Sequence, residues 1–317
     1  MKVVVLAGGR SLEREVSRRS GARVEDGLRS LGHEVAVVDP GADLAGALKA
    51  ERPDVAFIAL HGPGGEDGTV QELLEILGIP HTGPGVAACM RCMDKVLAKH
   101  EIRAAGIPTP DWFAFNATAF RELGAADTLG EIEGRLGFPL VIKPASQGSS
   151  LGVNFAAGRD DVPGALVAAF SYDDRVLLER YVEGRELAVG ILDGEPLPVV
   201  EAIPKQEDFF NFEARYEIGR TTYVCPAELP GGVAGDVREA ARSTYETLGC
   251  TGFARVDLML AADDVPHVLE VNAIPGLTDT SLFPMAAEAA GMSFEDLLGR
   301  IVESALAKDR ESATLPG

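Results

Sequence analysis

Short apolar runs alternate with amphipathic stretches in the N-terminal part of the chain. This alternation is typical of a parallel sheet covered by helices on both faces. The predicted strands are Val3–Ala7, Glu34–Val38 and Asp54–Leu60, and the predicted helices are Leu12–Leu31 and Thr69–Leu77. Glycine-rich loops follow the first and third strands, at Gly8-Gly9 and at residues 61–68. Ligands of such sheets bind at the carboxyl ends of the strands, so both loops are candidate site segments.

A change of pattern near Gly83 marks a second, α+β region. A helix is predicted over Val86–Ala105, and the turn residues of Gly106–Pro110 end it. The strands predicted beyond it are Pro139–Lys143, Val153–Ala156 and Val176–Tyr181, and the helices are Val162–Phe170, Val233–Leu248 and Phe294–Leu306. The polar tail Lys308–Gly317 is expected to fray.

Composition narrows the functional classes. The 317 residues are 46% hydrophobic and 25% charged, as in a soluble globular protein. The net charge of −20 repels phosphate backbones and argues against general nucleic-acid binding. No apolar run approaches the roughly 20 residues that cross a bilayer, and the N-terminus lacks a signal-peptide pattern. We therefore expect a cytoplasmic enzyme, and we expect the lone CxxC pair, Cys89 and Cys92, to be inert thiols.

Two predicted strands near the C-terminus, joined by a short polar turn, carry a group of oxygen-bearing side chains. If this hairpin is symmetric about the bond between its two central aspartates, Asp257 lies opposite Glu270, and Arg255 lies opposite Asn272. Strand alternation then puts all four side chains on one face, with opposed Cβ atoms about 5 Å apart. Two carboxylates that close repel each other, and a Mg²⁺ ion with oxygen ligands would neutralise them. The alternative is a solvent-facing polar strand face that Arg255 helps to neutralise.

A Gly/Ser-rich loop follows the apolar strand that ends at Lys143. Glycines let backbone N–H groups approach an anion closely, and serines add hydroxyl donors. Because the loop joins two strands, it differs from a Walker A loop, which opens a helix, and is closer in kind to a flap over a triphosphate. A plain turn is the alternative. The nearby acids Glu179 and Glu186 would, taken singly, be read as exposed charges.

Together these segments resemble the D-alanine–D-alanine ligase family of the ATP-grasp superfamily, over roughly residues 3–306. The segments that carry the resemblance are GGRSLEREVS, HGPGGEDG, MDK, VIKPASQGSSLGV, ARYEIGRTTYVCPA, GFARVDLML and LEVNAIPGLTDTSLFPMAA. The resemblance implies an α/β plus α+β fold, with a Rossmann-like parallel sheet followed by a two-lobed ATP-grasp unit. The implied domains are residues 1–93, 94–182 and 183–317.

The resemblance also implies roles for particular residues. Two Mg²⁺ ions, or Mn²⁺ in their place, would be held by Asp257, Glu270 and Asn272. The implied ATP-binding residues are Lys95, Lys143, Ser150, Glu179, Val182, Glu186 and Arg215. Glu13, linked to Ser149 and Tyr216, would bind the ammonium group of the first D-alanine, and Arg255 with the N–H of Gly276 would form the oxyanion hole. Ser281 and the N–H of Leu282 would hold the second D-alanine. His61 faces the substrate, unless it is a structural histidine at a strand end.

The implied reaction joins two D-alanines through an acyl phosphate for peptidoglycan synthesis, and the implied assembly is a homodimer. Residues 205–223 are interpreted as a lid, or else as a short strand pair packed on the core. Arg215 and Ala273 depart from the usual family pattern without removing a group that the chemistry needs. Three alternatives stay open: a D-lactate or D-serine ligase, another carboxylate–amine ligase, and a nucleotide-binding regulator without activity.

Overall fold

The structure is a computed structural model that describes residues 1–124, 128–204 and 221–314. The described chain contains three β-sheets, of three, six and four strands. The three-stranded sheet is parallel throughout, and the other two are antiparallel in every pairing between neighbouring strands. The expected combination of an α/β part and an α+β part is therefore confirmed.

The N-terminal part is a parallel sheet of order β2-β1-β3 with helices packed on it. Its elements are β1 (Lys2–Leu6), α1 (Arg14–Ser30), β2 (Glu34–Val38), α2 (Leu44–Glu51), β3 (Val55–Ile58) and α3 (Thr69–Leu77). The first and third strands are almost wholly buried, which explains their unbroken apolar runs. The Gly8-Gly9 turn and the loop that begins at His61 both follow the carboxyl ends of these strands, as predicted.

Two helices, rather than the single predicted one, lead out of this part. They are α4 (Val86–Met93) and α5 (Lys95–Ala104), and the prediction of one continuous helix was wrong. Asp94 separates them because its backbone is extended and its carboxylate caps α5, accepting hydrogen bonds from the N–H groups of Val96 and Leu97 at 3.0 Å each. An aspartate inside an apolar periodicity was the available signal for this break.

The four-stranded sheet has the order β4-β7-β5-β6. Its elements are β4 (Trp112–Asn116), α6 (Ala117–Glu122), α7 (Leu129–Leu136), β5 (Leu140–Pro144), β6 (Asn154–Ala156), α8 (Val162–Phe170) and β7 (Arg175–Arg180). On β5, Leu140 and Ile142 point into the core formed with α7 and α8. Val141 and Lys143 alternate with them and line a cavity on the opposite face.

The six-stranded sheet runs β11-β10-β8-β12-β13, with β9 paired to β8. Its strands are β8 (Gly184–Leu192), β9 (Glu195–Pro196), β10 (Val200–Pro204), β11 (Thr221–Val224), β12 (Phe253–Ala261) and β13 (Pro266–Asn272). The accompanying helices are α9 (Val233–Thr247), α10 (Leu282–Ala289) and α11 (Phe294–Thr314). The tail expected to fray from Lys308 instead continues α11 as far as Thr314.

Helix α11 returns to the N-terminal part and packs against α1. A Cβ atom on Gly27 would lie 2.5 Å from Leu298 Cδ1, so any larger residue there would displace the Leu298 side chain. The guanidinium of Arg23 lies 3.8 Å from the centre of the Phe294 ring, a cation–π contact beside the same junction. Within the described residues, no helix has the length and apolar character needed to cross a membrane.

Candidate active site

The hairpin of β12 and β13 has the predicted pairing at its functional end. Asp257 is the partner of Glu270, and Arg255 is the partner of Asn272. Nearer the turn the assumed symmetry is wrong, because a β-bulge changes the register between Asp257 and Leu258. Leu269 is the extra residue, since Leu258 pairs with Val268. The bulge brings the two acidic residues opposite each other despite a turn whose centre is displaced by half a residue.

The oxygen atoms of this face suit a hard divalent cation. The carboxylate of Asp257 is 4% exposed and pairs with the Arg255 guanidinium through two contacts of 2.7 Å. The amide of Asn272 donates to Asp257 at 3.0 Å, and Glu270 lies 3.2 Å from the ammonium of Lys95. Throughout the part of the chain that the structure describes, no three His, Cys, Asp or Glu side chains form a metal-binding cluster. A metal here therefore needs the Asn272 amide as well as the two carboxylates, and that donor set fits Mg²⁺ or Mn²⁺.

Two cavities meet at the hairpin. The first lies between α1, the six-stranded sheet and the loop that precedes α10, and the second lies between the two antiparallel sheets. The predicted residues that line the first cavity are Glu13, His61, Ser149, Glu186, Arg255, Asp257, Asn272, Gly276, Ser281 and Leu282. The predicted residues that line the second cavity are Lys95, Lys143, Ser150, Glu179, Val182 and Glu270. Glu186, predicted to bind ATP, thus faces the first cavity.

Glu13 is the buried acid of the first cavity. It is 6% exposed, its Oε1 accepts a hydrogen bond from the Ser149 hydroxyl, and its Oε2 has no partner among the described residues. Gly62, at φ +70°, brings backbone so close that a Cβ there would lie 2.4 Å from Glu13 Oε2. Desolvation by burial, reinforced by the charge of Glu66, raises the pKa of Glu13 above its usual value. An ammonium ion bound at Oε2 would relieve both effects.

His61 connects the N-terminal sheet to the loop that precedes α10. Its Nδ1 lies 3.1 Å from the carbonyl oxygen of Ile274, and its Nε2 lies 3.1 Å from the Ser20 hydroxyl. Because the Ile274 carbonyl can only accept, Nδ1 carries the proton of a neutral ring, and Nε2 accepts from Ser20. Both readings of His61 thus have support, since it lines the cavity and also fixes a loop.

The loop between β13 and α10 carries Gly276 and Ser281. The Ser281 hydroxyl accepts from the N–H of Thr278 at 3.0 Å, and a Cβ on Gly276 would lie 2.8 Å from the same hydroxyl. Helix α1 holds this loop from the other side, because Ser20 accepts from the N–H of Leu277 at 3.2 Å. This role of Ser20 could not be predicted from the sequence, since serine on a helix is ordinarily a surface residue.

In the second cavity, the predicted lysines, Lys95 and Lys143, lie beside the Gly/Ser loop. Lys95 donates to the carbonyl oxygen of Gln147 at 2.6 Å and so links this loop to Glu270 of the hairpin. Lys143 donates to Glu179 at 2.7 Å. Glu179 is 2% exposed, so its reading as an exposed charge is wrong. Lys99, which sequence reasoning missed, also donates to Glu179 and is completely buried; its spacing of four residues from Lys95 on α5 was the available signal.

Some predictions fall outside the described residues. Tyr216 and Arg215 lie there, as does the segment interpreted as a lid, except that residues 221–223 belong to β11 and Tyr223 lines the first cavity. The cysteines are all free thiols, and Cys250 lies 3.5 Å from Cys92 of the CxxC pair, sulfur to sulfur. The hydrogen bond to Cys250 and burial raise the pKa of Cys92 well above its usual value, as expected for an inert thiol.

A cation-lined cavity between two antiparallel sheets, joined through an acidic hairpin to a second cavity, defines an ATP-grasp ligase. Two family profiles match the sequence: the D-ala D-ala ligase N-terminus over residues 40–84 and the D-ala D-ala ligase C-terminus over residues 102–303. The chain belongs to the D-alanine–D-alanine ligase family.

Individual relatives agree with this assignment. A D-alanine–D-alanine ligase from Synechococcus sp. is 43% identical, over 100% of this chain and 97% of that relative. The D-alanine–D-alanine ligase from Bacillus anthracis, solved in complex with ATP, superposes with a TM-score of 0.84 at 35% identity, covering 98% of this chain and 99% of that one. The VanG D-Ala:D-Ser ligase from Enterococcus faecalis gives 0.81 at 27% identity, covering 96% and 99%.

Proposed function

We propose that the protein is an ATP-dependent ligase that joins two D-alanine molecules for the synthesis of peptidoglycan precursors. The observation that carries the proposal is the buried Glu13 carboxylate, whose Oε2 has no partner among the described residues and which lines the first cavity with Arg255. A small zwitterion would place its ammonium group on this acid and its carboxylate toward the hairpin. The carboxylate is then near the second cavity, where the lysines would hold ATP.

The reaction runs in two steps. A carboxylate oxygen of the first D-alanine attacks the γ-phosphorus of ATP, which forms an acyl phosphate and releases ADP. The amine of the second D-alanine attacks the acyl carbon, and the tetrahedral intermediate expels phosphate as the amine loses a proton. Arg255 and the N–H of Gly276 stabilise the oxyanion of that intermediate, and a fixed donor of this kind is worth about 3–4 kcal/mol.

Several chain groups position the reactants. Lys95 and Lys143 bind the phosphates, and the Gly/Ser loop with Ser150 covers them. Glu179 and Val182 bind the base. Glu186 lines the first cavity, but its strand partner Met259 lines the second, so Glu186 would bind the ribose where the two cavities meet. Ser281 and the N–H of Leu282 hold the carboxylate of the second D-alanine. A metal bound at Asp257, Glu270 and Asn272 supplies positive charge that neutralises the phosphates.

The proposed domains are residues 1–93, 94–182 and 183–317. Each contains one of the three sheets, and Asp94 at the first boundary breaks the path of α4 into α5. We also propose a cytoplasmic homodimer. Light scattering should give twice the monomer mass, and a monomeric mass would remove the dimer from the proposal without touching the chemistry.

The activity is tested by incubating the purified protein with D-alanine and magnesium ATP and identifying the products by mass spectrometry. We expect D-alanyl-D-alanine, with ADP and phosphate formed in equal amounts. Parallel reactions contain L-alanine, or D-alanine with D-lactate or D-serine. A depsipeptide or a D-serine product as the main species at neutral pH would overturn the specificity, and ATP binding without phosphate release would favour a regulator.

A further inference from the structure

Lys99 is a completely buried cation to which the proposed function gives no task. It lies on α5 and donates to Glu179 Oε1 and, at 2.5 Å, to the Thr109 hydroxyl. Its ammonium also lies 5.0 Å from the centre of the Trp112 ring. The Thr109 hydroxyl donates to the carbonyl oxygen of Val268 at 2.8 Å, so it can only accept from Lys99. The ammonium thus has two buried acceptors, Glu179 and Thr109, and an aromatic ring beside it.

Glu179 has two cationic partners with different positions. Lys143 donates to its Oε2 and lines the second cavity, where a triphosphate would compete for its charge. Lys99 binds the opposite oxygen from behind and is not part of the cavity wall. When Lys143 turns to a phosphate, Lys99 is the cation that remains with this buried carboxylate.

The surroundings of Glu179 indicate what it meets in the cavity. Val141 and Val153 of the four-stranded lobe and Met259 and Leu269 of the six-stranded sheet form apolar walls on either side. Such a slot between two sheets fits a flat aromatic base. Glu179, paired with Val141 across β5 and β7, places a carboxylate at the edge of this slot.

We propose that Lys99 is a positioning residue that keeps Glu179 ionised and therefore makes the nucleotide cavity select a 6-aminopurine over a 6-oxopurine. The inference rests on the proposed function, because it assumes that the base of ATP occupies the second cavity. An ionised carboxylate only accepts hydrogen bonds, so it accepts from the amino group of adenine. A 6-oxo group in the same place would set two acceptors against each other, and sites with unmatched polar groups reject such analogues strongly.

The charge balance of the cluster supports this role. Burial opposes ionisation of Glu179, but the charges of Lys143 and Lys99 outweigh it and lower the pKa of that carboxyl. Desolvation in turn lowers the pKa of Lys99 to about 8. Without Lys99, burial would favour the protonated acid once Lys143 turns to phosphate. The O–H of a protonated Glu179 can donate to a 6-oxo group, so the preference for a 6-aminopurine over a 6-oxopurine would fall.

The test compares the dissociation constants of ADP and IDP, which differ at the 6-position of the base, by titration calorimetry. The wild-type protein is compared with Lys99→Met, Lys99→Arg and Thr109→Val, and Ile102→Val serves as a control for packing on the same helix. We expect the wild-type preference for ADP to fall by about tenfold or more in Lys99→Met, as for one lost hydrogen bond to a charged group. Lys99→Arg should restore part of the preference, and Thr109→Val should lower it in the same direction.

Three outcomes would overturn the proposal. One is a wild-type protein that binds ADP and IDP equally. Another is a preference for ADP over IDP that stays unchanged in both Lys99→Met and Thr109→Val. If Lys99→Met does not fold, the result for Thr109→Val alone decides. The third is an equal loss in Ile102→Val, which would mark a packing effect. In Lys99→Met, we expect the KM for D-alanine to equal that of the wild type and the KM for ATP to rise. Since binding is measured without turnover, a protein that selects ADP yet makes no dipeptide would contradict the proposed function alone.

Discussion

At the scale of single residues, Glu13 shows how a binding site can oppose the stability of its own fold. Its carboxylate is buried beside Glu66, with one oxygen satisfied by Ser149 and the other without a partner among the described residues. Because the folded-state pKa is raised, the folded chain holds a proton to higher pH than the unfolded chain does. The stability of the free protein therefore falls as pH rises from the unfolded value toward the folded one.

Replacing Glu13 with glutamine should separate these two effects. At pH 7 Glu13→Gln removes the buried charge, so we expect a higher melting temperature than that of the wild type. Near pH 4, where the wild-type acid is protonated, the difference should vanish. The KM for D-alanine should rise about 10- to 100-fold, since an ammonium ion loses its charged partner. A lower melting temperature at pH 7 would show that the charge is stabilised by a partner.

Glu270→Gln tests the candidate metal ligand. The substitution keeps the volume but removes a charge, so we expect turnover to fall by about 100-fold or more, with little change in the melting temperature. Glu303→Gln, at an exposed position of α11, is the matched control and should be neutral. Turnover near the wild-type level in Glu270→Gln would refute the assignment.

The pairing of the hairpin acids could be predicted from the sequence, but the role of the buried Lys99 could not. Asp257 and Glu270 could be paired because strand alternation and opposed charge are local properties. The four-residue spacing of Lys95 and Lys99 indicated one helix face, but the role of Lys99 could not be assigned, because its partner Glu179 lies 80 residues further along the chain and reaches it only in the folded protein. A buried lysine and a surface lysine look the same in a sequence.

At the scale of elements, the bulge at Leu269 decides which faces the acids occupy. Without a bulge, the pairing found near the turn would set Asp257 opposite Leu269 and turn Glu270 to the other face. The bulge could not be predicted from an assumed symmetric turn, because the one-residue shift at the bulge cancels the displacement of the turn and leaves Asp257 opposite Glu270. The break between α4 and α5 was likewise hidden by an apolar pattern that runs through it.

Helix α1 acts as a clamp on the loop that carries Gly276 and Ser281. We expect Ser20→Ala to leave the N–H of Leu277 without its partner, which costs about 1–3 kcal/mol of unfolding free energy. The same change should raise the KM for D-alanine, because the loop and His61 lose a shared anchor. Chemical denaturation and steady-state kinetics measure the two effects.

Ser30→Ala is the matched control for this prediction. Ser30 lies on the same helix but donates only to the carbonyl oxygen of Gly27 within it, at 2.7 Å. Equal kinetic effects in Ser20→Ala and Ser30→Ala would show that the loop does not depend on the clamp.

At the scale of the whole molecule, the nucleotide cavity lies between the two antiparallel sheets. Val141 and Glu179 belong to one sheet, and Met259 and Leu269 to the other, so a nucleotide bound between them should stabilise both together. At a hundredfold excess over its dissociation constant, ATP should add about 2.7 kcal/mol.

Thermal unfolding measures this effect. We expect ATP to raise the melting temperature by several degrees in one cooperative transition, and ITP to raise it less at equal concentration. Two separate transitions in the presence of ATP would mean that the nucleotide contacts only one of the sheets.

The junction of Gly27 with Leu298 has a consequence for how the protein is made. Helix α1 emerges early from the ribosome, but the helix that covers its glycine face is synthesised far downstream. Such a contact between distant segments forms late. Until α11 has been synthesised, the face of α1 that contains Gly27 stays exposed. A chain that stalls before α11 would therefore remain accessible to chaperones and proteases. The helix that holds the substrate loop is thus fully covered only when the C-terminal helix has been made.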